Sequence, residues 1–521
     1  MVFLLGFLPI YLMSSAVVVA MLSFITKNRA IYVAFSAASS LVAFIVSLYI
    51  LSLTIGSSIL VYRYGGFPAP LGIVYTVDKL SGFLATLSMF MLLLTSIYSS
   101  WMIRSRWLYL YYLLLFLMAT GSIGCLYTGD IFNFFVSLEL LAISSYALTA
   151  FYRDSPRAIR AALRYAISGM IVTSLYLLST FIIYGSFGTL NMADIALKAR
   201  NPSIPVAFTG TAFGDVVISS KVAVALITWV FLFKSAIFPL NFAWQPYAYS
   251  EAPTPVAAAF TAISDTVGLY GLIRFFYTLF GYDSIIGDFR TSILQLLQII
   301  AISSAFVGAL LMSFQRDVKR FIAFSTMVHL SFALLGISLG NVEGIASALL
   351  HILSNTLGDS ILFYLAGISI VSCGRRLECL GTLKLWRISI IAFGGGVLNL
   401  FGVLPVFIGF WGKALLVLSS IRLGTVVYAV LTLFISGVTA IGYFRVLHQI
   451  SISKANADQL TVRDVTIPHT LALTLLVVTI VLGMGFSLYR PLMDFVLSIG
   501  FEVMNDYSIY IARTLTGNLG Q

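Results

Sequence analysis

Charged side chains are scarce here: Asp, Glu, Lys and Arg make up 9% of the 521 residues, where a soluble protein carries roughly a quarter. That scarcity excludes a water-soluble globular domain. With 60% hydrophobic residues and a mean hydropathy of +1.02, the chain is solvated by lipid. Cysteine is nearly absent. Cys125 lies inside an apolar segment and Cys373 and Cys379 near a loop, so neither an even disulfide framework nor a CxxC metal pair is present, and cysteine chemistry offers no function. The opening MVFLLGFLPIYLM lacks a basic n-region and a small-residue cleavage site before Lys27, and reads as a retained first span, not a signal peptide. The net charge of +11 comes from Lys and Arg dispersed in short loops, and the missing continuous basic face argues against nucleic acid as the partner.

What is present is a succession of apolar segments of about 20 residues, without the alternation that strands require, so the spans are helices. They cover 4–25, 30–54, 79–99, 106–127, 131–152, 160–184, 221–242, 254–279, 291–313, 319–339, 343–371, 386–412, 414–448 and 467–489. This predicts an all-α polytopic membrane protein of about 14 transmembrane helices. Alternate loops collect most of the basic residues: Lys27, Arg29, Arg104, Arg106, Arg153, Arg157, Arg160, Arg316, Lys319, Arg320, Arg375, Arg376, Lys384, Arg387, Arg445, Lys454 and Arg463. By the positive-inside rule that side is cytoplasmic, and both termini are expected outside the cell membrane. Two polar connections on the external side, 55–78 and 185–220, read as lids, with a short interfacial helix over 188–200.

Two spans carry helix breakers. The seventh holds Lys234 five residues before Pro239, and the twelfth holds Gly394, Gly395, Gly396 and Pro405 ahead of Lys413. Broken helices with polar residues near the membrane centre point to a transport site between two repeats. The breaks lie five helices apart, which suggests two five-helix units, inverted because the shift is odd. The expected division is 1–104 for helices 1–3, 105–280 for the first repeat, 281–450 for the second, and 451–521 for helix 14 and a tail.

In GDIFNFFVSLELLAISSYALTAFY a single acid, Glu139, lies nine residues beyond Asp130. On a helix that is roughly 13 Å deeper, close to the midplane of a hydrocarbon core about 30 Å thick if Asp130 marks its surface. Arg164, Lys234, Asp265, His329, His351, Asp359 and Lys413 also fall inside spans. A charge in lipid costs between about 3 and more than 10 kcal/mol, so such groups need partners or water, and together they read as an ion or proton relay. Arg164 and His351 could instead lie near interfaces or cap backbone groups. His329 could be a neutral core histidine bonded to a hydroxyl, although imidazole also suits a proton shuttle. Glu139, Lys234 and Lys413 are deep, and two of them sit at breaks. Opposite charge makes Glu139 and Lys234 the expected couple, and a pair that forms and breaks switches a lysine between its charged and neutral states.

Longer motifs surround these residues: VDKLSGF at 77–83, TGDIFNFFVSLELLAISSYAL at 128–148, GTLNMADIA at 188–196, FKSAIFPL at 233–240, EAPTPVAA at 251–258, VGLYGLIR at 267–274, QRDVKRFIAFST at 315–326 and GFWGK at 409–413. Together they make the chain similar, from about residue 75 to 450, to the antiporter-like membrane subunits shared by proton-pumping NADH-quinone oxidoreductase (complex I), membrane-bound hydrogenases and Mrp-type cation/proton antiporters. The GDIFNFFVSLE stretch most resembles the Mrp and hydrogenase branches. The resemblance implies fourteen helices in two inverted five-helix repeats with discontinuous seventh and twelfth helices. It implies a glutamate on the fifth helix, matched by Glu139, a lysine on the seventh, matched by Lys234, and a lysine or glutamate on the twelfth, matched by Lys413. It also implies no flavin, iron–sulfur cluster, nucleotide or metal in this chain, and partners among the other membrane subunits of such a complex. Any redox enzyme activity would then belong to those other subunits.

The sequence departs from the family pattern further along. SDTVGLY puts Thr266 where the eighth helix usually has a lysine or histidine, with Asp265 beside it. SNTLGDSILF puts Asn355 and Asp359 in place of a histidine and a lysine, and PLNFAWQPYAY leaves Asn241 and Tyr249 nearest two lost histidines. Three consequences stand open. The acids pair with Lys234 and Lys413 and carry protons; or Asp265 and Asp359, with Thr266 and Ser264, offer oxygen ligands to a small cation such as sodium; or the subunit is a non-conducting scaffold. A free-standing secondary transporter for an organic solute is the further alternative.

Overall fold

The computed structural model describes residues 2–57, 59–201, 203–204, 214–453 and 464–517; Lys454 and Arg463, and part of the 185–220 connection, lie outside the described residues. The apolar segments form α1 (Phe3–Ile25), α2 (Arg29–Ser57), α3 (Lys79–Met102), α4 (Leu108–Tyr127), α5 (Ile131–Thr149) and α6 (Pro156–Phe187). There follow α7 (Met192–Arg200), α8 (Val216–Lys234), α9 (Gln245–Glu251), α10 (Thr254–Ala259) and α11 (Asp265–Ile273), the last two joined by a π-helical turn and followed by another, so that Thr254–Leu279 is one continuous span. The rest are α12 (Gly287–Phe314), α13 (Val318–Leu339), α14 (Val342–Ser372), α15 (Arg387–Phe401), α16 (Ile408–Arg422), α17 (Val426–Ile452), α18 (Thr466–Leu488), α19 (Arg490–Asn505) and α20 (Tyr507–Thr516). Caps set the limits. Ser155 and Asp317 accept the orphan N–H groups that open α6 and α13, and Gly188 and Gly340 end the same helices in the left-handed conformation.

Among the described residues thirteen helices are long and apolar enough to cross a membrane. A fourteenth crossing is shared by α15 and α16. The former begins where Lys384 donates to the carbonyls of Ser451 and Ser453 at the end of α17, so the chain must cross between them. The spans expected at 386–412 and 414–448 are corrected accordingly: the first takes in only the start of α16, and the second fuses the rest of α16 with α17. A hydropathy window misses such a turn because Gly402–Phe407 is itself mostly apolar.

Three helices, Thr254–Leu279, α13 and α14, are buried through their membrane-spanning middles, and they carry Asp265, His329, His351 and Asp359. The remaining spans show one face outward. Burial of these three rods inside protein, not lipid, is what allows ionisable groups at their middles.

At the end opposite the basic loops the polar connections are packed. Residues 55–78 contribute an antiparallel hairpin, β1 (Ile59–Arg63) with β2 (Val74–Asp78). The helix expected at an interface, α7, is buried instead, and α20 packs against it. Asp78 forms an ion pair of 2.6 Å with the fully buried Arg274, and α19 is tied down through Lys79–Glu502. Asp130 caps α5, accepting the Asn133 N–H at 2.7 Å, and bridges to Asn191, which caps α7. Burial pushes the Asp130 carboxyl up from 3.8 to about 6, against the hydrogen bonds it accepts. A raised folded-state value in an acid means that the charged form weakens the fold, so stability should fall as pH rises through about 6. Asp130→Asn, which keeps the capping oxygen, is expected to flatten that slope in thermal melts between these two values.

At the basic end Cys373 and Cys379 form a disulfide that ties the end of α14 to the following turn. The expectation that the cysteines form no disulfide framework is corrected; five residues of intervening loop bring the two together, which spacing alone did not show.

Candidate functional site

The first break is built by the sequence Lys234-Ser235-Ala236. Helix α8 stops at Lys234, and Ala236 takes a φ of +57°, a left-handed conformation costing a non-glycine residue roughly 1–2 kcal/mol. The exposed helix end is sealed by Trp244, whose indole N–H donates to the Phe233 carbonyl at 3.1 Å while its ring stacks on Tyr165 at 4.3 Å. Lys234 is thereby held at a helix C-terminus, where the backbone carbonyls favour a cation. It is buried, with its ammonium 5.9 Å from the Tyr165 ring centre.

Span Thr254–Leu279 packs directly on this break because of Gly268. A Cβ there would lie 2.8 Å from the Phe231 carbonyl oxygen, so only glycine permits the approach that sets Asp265 beside the end of α8. Asp265 starts α11 just after the π turn Phe260–Ser264, and the Tyr249 hydroxyl donates to its Oδ2 at 2.6 Å. Its Oδ1, together with the hydroxyl oxygen of Ser235, is buried with no protein partner among the described residues. The Thr266 hydroxyl, offered by the sequence as a cation ligand, donates to the Thr261 carbonyl at 3.0 Å.

From Asp359 a second group of contacts runs across α13, α14 and α17. Thr326 donates to one carboxylate oxygen at 2.5 Å and Ser325 to the other at 3.3 Å. The Ser325 hydroxyl lies 2.7 Å from that of Tyr443, which lies 3.1 Å from Nε2 of His329. The His329 and His351 ring centres are 6.1 Å apart. Both nitrogens of His351 and both side-chain polar atoms of Asn355 are buried without protein partners among the described residues. His351, Asn355 and Asp359 recur every four residues, which puts them on one face of α14. The second break completes the row: Lys413 on α16 reaches back to the Phe401 carbonyl at the end of α15, at 2.5 Å. Pro239 and Pro405 both lie in the gaps they were expected to mark, after α8 and between α15 and α16.

Two expected residues fall elsewhere. No ion pair joins Glu139 to Lys234 among the described residues. Glu139 is half-buried and shares a face of α5 with Phe132, Val136 and Ile143, which are 39%, 49% and 60% exposed. Arg164 is exposed near the basic end, stacked on Tyr247, outside the row altogether. In the other direction, Ser325, Thr326, Tyr443 and Tyr165 were missed. A hydroxyl in an apolar span is common, and only the contact between α13 and α17 singles out Tyr443.

Residues 128–439 match the family described as NADH:quinone oxidoreductase/Mrp antiporter, TM. The chain is 34% identical to the NADH-quinone oxidoreductase subunit N of Desulforudis audaxviator, over 74% of each protein. It is 27% identical to a putative antiporter subunit mnhD2 of Staphylococcus epidermidis, over 90% of each. A chain in the structure of the membrane-bound sulfane sulfur reductase, an archaeal respiratory membrane complex, superposes with a TM-score of 0.87 at 27% identity, covering 98% of this chain and 99% of that one.

Proposed function

The chain belongs to the NADH:quinone oxidoreductase/Mrp antiporter transmembrane family, and from that premise we propose that it is the ion-translocating membrane subunit of a multisubunit respiratory oxidoreductase, hydrogenase or cation/proton antiporter complex. The ion is the proton. The observation that carries this reading is the linked row Asp359–Ser325–Tyr443–His329, lying between two helix breaks, one where buried Lys234 ends α8 and one where buried Lys413 reaches the Phe401 carbonyl that ends α15. Every linked group can both give and take a proton, and the unpartnered atoms around Asn355, His351 and Asp265 are the kind that buried water satisfies.

The donors around the acids favour protons over sodium. Tyr249, Thr326 and Ser325 all point O–H groups at the carboxylates, occupying lone pairs that a cation would need. Cation exchange keeps one supporting observation, the unpartnered Asp265 Oδ1.

In this reading 105–280 and 281–450 act as the two inverted units, the basic end faces the cytoplasm, and redox centres sit in other subunits. The exposed stripe of α5 around Glu139 is covered by a neighbouring subunit, since a carboxylate facing lipid at mid-depth is too costly to stand alone. The test is proton uptake by the complex reconstituted in vesicles, with and without sodium. Uptake independent of sodium is expected; a strict sodium requirement reassigns the site to cation exchange, and turnover without proton movement makes the subunit a scaffold.

A further inference from the structure

The arginines of the basic end are not all paired. Arg375 bonds Glu251 and Asp317, and at the opposite end Arg200 and Arg422 have carboxylate partners. Arg164 and Arg320 have none among the described residues, yet both guanidiniums lie against one ring, 4.4 Å and 5.7 Å from the centre of Tyr247. A second ring at the same end is flanked in the same way, Trp107 by Arg106 at 5.1 Å and Arg153 at 4.3 Å, again without a carboxylate. Stacking fixes a guanidinium in place but leaves its charge and its N–H donors unspent. Two such groups around one ring repel each other unless an anion lies within reach of both.

Their position says which anion. Arg164 lies two turns into α6 and Arg320 in the first turn of α13, so both stand where these spans leave the hydrocarbon, at headgroup level. Short α9 packs against both helices and carries Tyr247. We propose that Arg164, Tyr247 and Arg320 form a binding site for the phosphate of an anionic phospholipid headgroup.

The site bears on the relay through α9. Tyr247 and Tyr249 are two residues apart on that helix, hence on nearly opposite faces, one toward the arginines and one donating to Asp265. A bound headgroup pins the helix that places the Tyr249 hydroxyl. The binding claim itself does not depend on whether the subunit conducts.

The complex is reconstituted into nanodiscs of phosphatidylcholine alone or mixed with phosphatidylglycerol, and lipid retained on the subunit is counted by native mass spectrometry. Retention of phosphatidylglycerol over phosphatidylcholine is expected, and Arg164→Gln with Arg320→Gln should weaken it about 30-fold, the loss that two guanidiniums account for at an anionic surface. The paired lysine variant, which keeps charge without the planar fork, should fall between. Equal melting in phosphatidylcholine alone shows that the glutamine variant is folded; if it melts early, the exposed single change Arg164→Gln takes its place. Retention that is unchanged in the variant, or equal for the two lipids, overturns the proposal. So does displacement by inorganic phosphate, which assigns the site to a soluble anion, and so does loss of a neighbouring subunit with lipid counts unchanged, which assigns the arginines to a protein partner.

Discussion

Lys234→Ala should lower proton uptake by the reconstituted complex by roughly a hundredfold or more, the scale on which a lost proton donor or acceptor acts. Among the described residues Lys234 is the one side-chain amine at the first break, where it ends α8 against the span that carries Asp265. Alanine removes the proton carrier and leaves the helix end intact, because the Phe233 carbonyl is sealed by Trp244 and not by the lysine. Lys234→Arg separates charge from transfer: a guanidinium keeps the positive charge but does not give up its proton, so it should be as inactive as alanine. Native gels and melting curves of the assembled complex report on structure independently. Uptake that survives both changes would sink the relay.

The second large effect is expected at Asp359. Asp359→Asn preserves the side-chain shape and can still accept from Thr326, but it cannot release a proton, so uptake should again fall about a hundredfold while the complex stays assembled. Tyr443→Phe cuts the same row one step later, between Ser325 and His329, and should act in the same direction by a smaller factor, since a water can stand in for the hydroxyl. If both residues serve one row, the double variant is no worse than Asp359→Asn alone, because a path already cut is not cut again. Independent, multiplying losses would mean two separate routes. Uptake measured under turnover across the four proteins of this cycle decides between them.

How much of this site was legible beforehand differs from residue to residue. Lys234 and Lys413 stood out because a lysine near Pro239 or Pro405 in an apolar run combines two local anomalies, and both are at helix breaks. Asp265, His329, His351 and Asp359 stood out as ionisable residues within apolar spans, and all are buried on the three innermost helices. Arg164 met the same criterion and failed it, because a long side chain near a helix end reaches the surface, where it stacks on Tyr247. Glu139 lies on the outer stripe of α5, so proximity in span order did not translate into contact with Lys234.

The sequence by itself determined the membrane class, nearly all the spans, the two breaks and the lysines at them. Each of these follows from local chemistry: the length of a hydrocarbon core, the backbone of proline and glycine, the cost of charge in lipid. Only the tertiary structure decided the partners: Tyr249 as the donor to Asp265, the Cys373–Cys379 link, and the bond between Ser325 and Tyr443 across 118 residues of chain. The reason is rotational. Hydropathy fixes where a helix enters and leaves the bilayer, but which way each side chain points is set by how neighbouring helices pack, and glycines such as Gly268 settle that through contacts no single segment contains.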